Sequence, residues 1–252
     1  MSILAVKQIS KAFGGVRAVE RVSFSVAAGE LLAMIGPNGA GKTTCFNLIN
    51  GQLRPDAGEI FFEEKQIKEL PPRERCRLGI GRTFQVAATF GSMTASENVA
   101  VARLSNERKL SSLFSSFRAA SGKEVNELLA QVGMQSQADR PCAELAYGDL
   151  KRVELAVALA ARPRLLLMDE PTAGMAPAER HGLVDLVKRI SKEKGISVLF
   201  TEHDMDVVFQ YADRVLVLAE GELVAQGTPA EVRADAQVRR VYLGEEAAHA
   251  RA

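Results

Sequence analysis

The nine residues GPNGAGKTT, at positions 36–44, constrain this chain more than any other stretch. They fit the spacing G-x-x-x-x-G-K-[ST] through Gly36, Gly41, Lys42 and Thr43, with Asn38, Gly39, Ala40 and Thr44 filling the loop. They also stand between the apolar run Leu31-Leu32-Ala33-Met34-Ile35 and an amphipathic run from Thr43 to Asn50, and a strand that feeds a glycine turn and then a helix is the context this spacing requires. The glycines let the backbone curl so that its N–H groups point inward around phosphate oxygens, and the helix opening adds its dipole. Lys42 is placed to neutralise β- and γ-phosphates, and Thr43 to put its hydroxyl on magnesium.

The rest of the chain supplies a sheet for that loop. The continuous apolar run before Gly36 reads as a strand buried on both faces. Shorter strand patterns occur at Ile3-Leu4-Ala5-Val6, Val22–Val26 and Gly58–Phe62. Further apolar strands, Leu165–Met168 and Ser197–Phe200, flank a helical stretch from about 178 to 194, and Arg214–Leu218 pairs with Glu222–Ala225 as a hairpin around Gly221. Strands alternating with helices predict an α/β fold with a mostly parallel sheet. From about 95 to 162 the pattern is helical and polar, which marks an inserted lobe, and its Ser-rich piece SLFSSFRAAS reads as a solvated linker.

Composition removes several classes. Lys+Arg 32 against Asp+Glu 31 gives a net charge of +1, so no global field draws the chain to nucleic acid or to an anionic membrane. A membrane role would have to come through a protein partner. The start MSILAVKQIS lacks a charged segment followed by a long apolar core, and no run reaches the roughly 18 to 20 apolar residues of a membrane span, so the chain is expected neither to be exported nor to span. Cys45, Cys76 and Cys142 are scattered without a CxxC or Cys/His grouping, which predicts reduced thiols in a cytoplasm and no structural zinc.

Candidate chemistry gathers at strand ends. LLLMDE, 165–170, ends a buried strand with Asp169 and Glu170, and in open α/β sheets ligands lie beyond the carboxyl ends of strands. Alone, such a pair is more often a turn or a helix cap. Beside a phosphate loop, Asp169 suits magnesium and Glu170 suits polarising water. The run SVLF leads into Thr201-Glu202-His203, so His203 also lands at a strand's carboxyl end, where it could bond a γ-phosphate or orient water. Gln85 closes GRTFQ and, on its own, reads as a polar loop residue. A second helix opening lies in ELAYGDLKRVELAVALAARP, 144–163, where Leu150, Val153, Val157 and Ala161 fall near helical spacing as a core face and Pro163 ends the helix.

In order, GPNGAGKTT, Gln85, LAYGD, LLLMDEP and EHD resemble the ATP-binding subunits of ABC transporters over nearly the whole chain. Within them, AYGD, EPTAGM, EHDMDVV and the tail GTPAEVRADAQVRRVYLGE look like the LivG-type subunits of branched-chain amino-acid importers. The resemblance implies a P-loop NTPase fold with a small antiparallel β subdomain and an inserted helical subdomain. Its single ABC ATPase domain would run from 1 to 252, with a nucleotide-binding core at about 1–90 and 162–252 and the helical subdomain at about 91–161. It implies ATP and Mg2+ as cofactors. Phosphate contacts would come from Gly36, Asn38, Gly39, Ala40, Gly41, Lys42, Thr43 and Thr44, and magnesium contacts from Thr43, Gln85 and Asp169. Catalysis would fall to Glu170, His203 and Gln85. Phe13 would stack on adenine, although an aromatic at a strand turn is as readily explained by packing.

By the same resemblance, two such chains pack head to tail. Ala146, Tyr147, Gly148 and Asp149 of one would then cap the γ-phosphate held by the other, so one helix opening holds ATP and the second reads its partner's. Permease subunits at the cytoplasmic face of the inner membrane would be direct partners, facing VAATFGSMTASENV around Phe90 and Met93; a satellite core under that loop is the alternative. An extracytoplasmic binding protein would be an indirect partner, and nucleic acid none. Two positions depart from the family pattern. Ala146 replaces the signature serine and removes a hydroxyl, with Tyr147 in place of the glycine beside it, and Ala176 stands where an aspartate usually ends the loop after the acidic pair. Related ABC subunits for urea, amides or aromatic acids, and non-transport ABC ATPases, share the main motifs. One phosphate loop, no base-reading NKxD element and no room for a coiled-coil insertion argue against switch GTPases, ribosome-acting relatives and chromosome-associated ATPases.

Overall fold

A computed structural model of the chain describes residues 1–83, 89–106 and 122–241. Two sheets organise it. Strands β1 (Ser2–Phe13), β2 (Val16–Ala27), β4 (Ala57–Phe62) and β5 (Lys65–Gln66) form an antiparallel sheet in the order β2-β1-β4-β5. The second sheet has the order β10-β9-β3-β8-β7-β6, built from β3 (Leu31–Ile35), β6 (Ile80–Thr83), β7 (Leu165–Asp169), β8 (Ser197–Thr201), β9 (Arg214–Ala219) and β10 (Glu222–Gly227). All its pairs are parallel except the β9–β10 hairpin.

The helices are α1 (Lys42–Asn50), α2 (Pro72–Leu78), α3 (Ala95–Asn106), α4 (Lys123–Gln131), α5 (Tyr147–Ala160), α6 (Pro177–Lys194), α7 (Met205–Tyr211) and α8 (Pro229–Ala234). Every residue of β3, β7 and β8 is buried, because each strand faces a core on both sides. The pleat sends successive side chains to opposite faces. Leu31, Ala33 and Ile35 join one core with residues of α3, α4, α5 and α6, whereas Leu32 and Met34 join a second with α1 and the antiparallel sheet. The mostly parallel α/β architecture expected from the sequence is therefore present.

Two local expectations need correction. The first two strands are longer than the short patterns at Ile3–Val6 and Val22–Val26, since the hairpin they form stays paired across several register shifts. On α5 the face Leu150, Val153, Val157, Ala161 is only part of the buried surface: Val153 is fully buried and Leu150 and Val157 pack against the same core, while Leu155, Ala156, Leu159 and even the ion pair Lys151–Glu154 are buried as well. That helix is enclosed nearly all round between α3, α4 and β6, so a single stripe underestimates it. Gln85, the Ser-rich 111–121 piece and the end of the tail lie outside the described residues.

Candidate nucleotide-binding site

The phosphate loop leaves β3 and enters α1 under tight steric control. Gly36 has φ 151°, and a Cβ there would lie 2.1 Å from the Leu218 carbonyl oxygen; at Gly41, φ 99°, it would lie 2.3 Å from the Ala18 carbonyl oxygen. Only glycine fits both places. The loop is thus clamped between β9 and β2, which fixes the opening of α1. Lys42, in the first turn of α1, is buried and donates from Nζ to the Gly36 and Pro37 carbonyls at 2.6 and 3.0 Å. The next residue, Thr43, is exposed.

Parallel register carries the acidic pair to the same edge. Met34 pairs with Thr201, and Thr201 pairs with Asp169, so the carboxyl ends of β3, β8 and β7 stand side by side. Thr201 Oγ1 donates to Asp169 Oδ1 at 2.8 Å and accepts from the Glu170 backbone N–H at 3.0 Å. Glu170 itself is left-handed, φ 47°, an uncommon state for a residue with a side chain. Its Oε1 lies 2.7 Å from His203 Nε2, a hydrogen bond when that nitrogen carries the proton. A hydroxyl on exposed Thr43 and the carboxylate of Asp169 are hard oxygen donors of the kind Mg2+ prefers, on segments that leave the same edge of the sheet, so the residue types present fit that ion.

Several residues that organise this edge were missed by sequence reasoning. Buried Glu202 accepts from both the N–H and the hydroxyl of Thr172, at 2.9 and 2.7 Å, and so ties the loop after Glu170 to the segment carrying His203. Burial pushes its carboxyl pKa above the ordinary 4.5, opposed by the Thr172 hydrogen bonds. Arg82, at the end of β6, reaches Asp169 Oδ2 at 3.3 Å. The one available signal was a polar residue closing an apolar strand, as Thr201 closes SVLF.

The family model described as ABC transporter matches residues 19–173. The chain belongs to the ABC transporter ATPase family. A second model, described as branched-chain amino acid ATP-binding cassette transporter, matches residues 222–248. The high-affinity branched-chain amino acid transport ATP-binding protein BraF of Pseudomonas aeruginosa is 39% identical over 251 residues, covering 96% of this chain and 98% of that one. The corresponding LivG protein of Salmonella typhimurium is 37% identical over 252 residues, with the same coverage. Among solved structures, the ADP conformation of an ATP-binding cassette of an ABC transporter superposes with TM-score 0.85 at 35% identity, covering 97% of this chain and 99% of that one. A dimeric post-hydrolysis cassette bound to ADP and Pi gives TM-score 0.76 at 26% identity, covering 90% and 98%. The family resemblance carried by the motifs therefore holds, down to the LivG-type relatives.

In this ABC cassette the signature residues open α5. Ala146 is the N-cap, and its side chain accepts no hydrogen bond, as its missing hydroxyl dictates. Tyr147, 42% exposed, donates its hydroxyl to the Ala173 carbonyl at 3.1 Å, with the Lys151 ammonium 5.5 Å from its ring. A Cβ on Gly148 would meet the Glu179 carboxylate at 3.2 Å. The signature turn thus rests on 173–179, the loop that follows Glu170 and the first turn of α6, while Asp149 lies half-buried in the first turn of α5. Ala176 caps α6 without a side-chain bond. Phe13 is 47% exposed and Phe90 59% exposed, whereas Met93 is half-buried. No helix among the described residues is long and apolar enough to cross a membrane.

Proposed function

We propose that this chain is the ATP-hydrolysing subunit of an importer of branched-chain or other hydrophobic amino acids. It would work as one of two cassettes at the cytoplasmic face of the inner membrane, beneath permease subunits that an extracytoplasmic binding protein supplies. The observation that carries the cargo is identity of 37% and 39%, across 96% of the chain, to relatives named for branched-chain amino acid transport.

The geometry supports a division of labour. Lys42 trades its two loop carbonyls for β- and γ-phosphate oxygens, while the backbone of Gly36–Thr44 cradles them. Thr43 and Asp169 would hold Mg2+, which would supply neutralisation of phosphate charge, and the magnesium role of Gln85, outside the described residues, follows from the family resemblance alone. Glu170 accepts a proton from the attacking water, and His203, within hydrogen-bonding distance, fixes its carboxylate. Exposed Phe13 stacks on adenine. Ala146, Tyr147, Gly148 and Asp149 of the second cassette close over the γ-phosphate, and without a serine hydroxyl they do so through the backbone at Gly148.

The test is Glu170→Gln. Nucleotide affinity should stay within a few-fold of wild type while turnover falls by about a hundredfold or more, the range for a lost general base. Unchanged turnover would remove Glu170 from the chemistry. Cells carrying this variant in place of the native chain should lose uptake of labelled leucine and keep uptake of labelled urea; the reverse would move the cargo to urea or a related amide.

A further inference from the structure

Asp169 has both carboxylate oxygens engaged. Oδ1 accepts from Thr201, and Oδ2 lies 3.3 Å from Nη2 of Arg82, with both side chains only 8% exposed. The arginine comes from the neighbouring strand, where Arg82 pairs with Leu167 and Thr83 with Met168. Its other terminal nitrogen, Nη1, donates to Asn47 Oδ1 at 2.7 Å and to Gln52 Oε1 at 2.9 Å. One guanidinium therefore spans the C-terminal end of the phosphate-loop helix α1 and the carboxylate at the end of β7. A planar cation with a fixed fork of donors suits such a span, and an ammonium does not reproduce it.

A guanidinium so close to a shielded carboxylate lowers the negative potential that a second cation would meet, and in a poorly solvated site that effect is much larger than in water. A divalent ion approaching Asp169 must share the carboxylate with Arg82 or displace it. We propose that Arg82 is a positioning residue, the resident counter-ion of Asp169, and that it sets how strongly Mg2+ tightens nucleotide binding. The inference rests on the reading of Asp169 as the magnesium carboxylate.

The measurable quantity is the dissociation constant of a fluorescent non-hydrolysable ATP analogue in EDTA divided by that in excess Mg2+. Arg82→Gln should raise this ratio about fivefold, the low end of ordinary coupling between two bound groups. Arg82→Lys, which keeps the charge, should leave it nearer wild type. A guanidinium that only braces α1 would weaken binding equally in both conditions, and an unchanged ratio would overturn the proposal. A lowered ratio would overturn it too, since Arg82 would then assist the metal. Asp169→Asn supplies the separation: if that change leaves the ratio of the wild-type chain intact, the magnesium reading of Asp169 fails; if it lowers the ratio while Arg82→Gln does nothing, only the counter-ion proposal fails. Should Arg82→Gln not fold, NMR of the wild-type chain decides, with the Arg82 signal identified by its loss in Arg82→Lys. Its guanidinium protons should exchange faster when Mg2+ is added to the nucleotide-loaded chain, and unaltered exchange would overturn the proposal.

Discussion

A single hydroxyl, that of Thr201, holds the Asp169 carboxylate and the Glu170 backbone at once. Thr201→Val keeps the shape and removes both bonds. The folded state should lose about 2–3 kcal/mol, as for buried groups left unsatisfied, measured by urea unfolding. Turnover should fall further than nucleotide affinity, because Glu170 loses its support more than the phosphate loop does. Glu202 makes the same edge sensitive to pH. Its folded pKa is raised, so between the ordinary 4.5 and that higher value the folded chain holds a proton that the unfolded chain has released. Stability from this group is complete below the unfolded pKa and declines as pH rises through the folded one. Unfolding free energy measured across that window should show the decline in wild type and lose it in Glu202→Gln. Lys42, Asp169, Glu170 and His203 were legible in the sequence because each sits at a fixed place relative to an apolar strand or glycine turn. Thr201, Glu202 and Arg82 were not, because their partners come from other segments, 87 residues away for Arg82, and no local spacing records which strands will be neighbours.

At the scale of elements, α1 is held at both ends by different means. Its opening depends on the two glycines; its close depends on Arg75 of α2, fully buried, whose guanidinium donates to the carbonyls of Leu48, Ile49, Lys68 and Leu70 at 2.6, 2.7, 3.0 and 2.8 Å. These include carbonyls of the last turn of a helix, which lack partners within it. Burial is the larger influence on the guanidinium, bringing its pKa down to about 10, which leaves it charged at neutral pH. Arg75→Met should cost about 1–3 kcal/mol by thermal or urea unfolding, the range for buried carbonyls left without a donor. The β3 strand and α1 could be placed from sequence because pattern and turn chemistry agree there. The buried face of α5 could not, since a helix enclosed on nearly all sides carries no single stripe to read.

For the whole molecule, the proposed pairing of cassettes has a direct consequence. Tyr147 and Gly148 rest on the segment 173–179 of their own chain, so the signature turn and the loop after Glu170 approach a second copy as one unit. Glu170→Gln with ATP and Mg2+ should therefore sediment as a dimer, and the same protein with ADP as a monomer; a monomer in both would count against pairing through this surface. The parallel sheet was foreseeable from the alternation of strands and helices, but its order, β10-β9-β3-β8-β7-β6, was not, because periodicity says nothing about neighbours. That order also carries a message about synthesis. The strand that bears the phosphate loop takes its sheet neighbours from 197–201 and 214–219, so during N-to-C synthesis it waits beside an empty place until most of the chain has left the ribosome. A chain cut short before Ser197 leaves the ribosome with its most recognisable motif and with neither sheet neighbour of the strand that carries it.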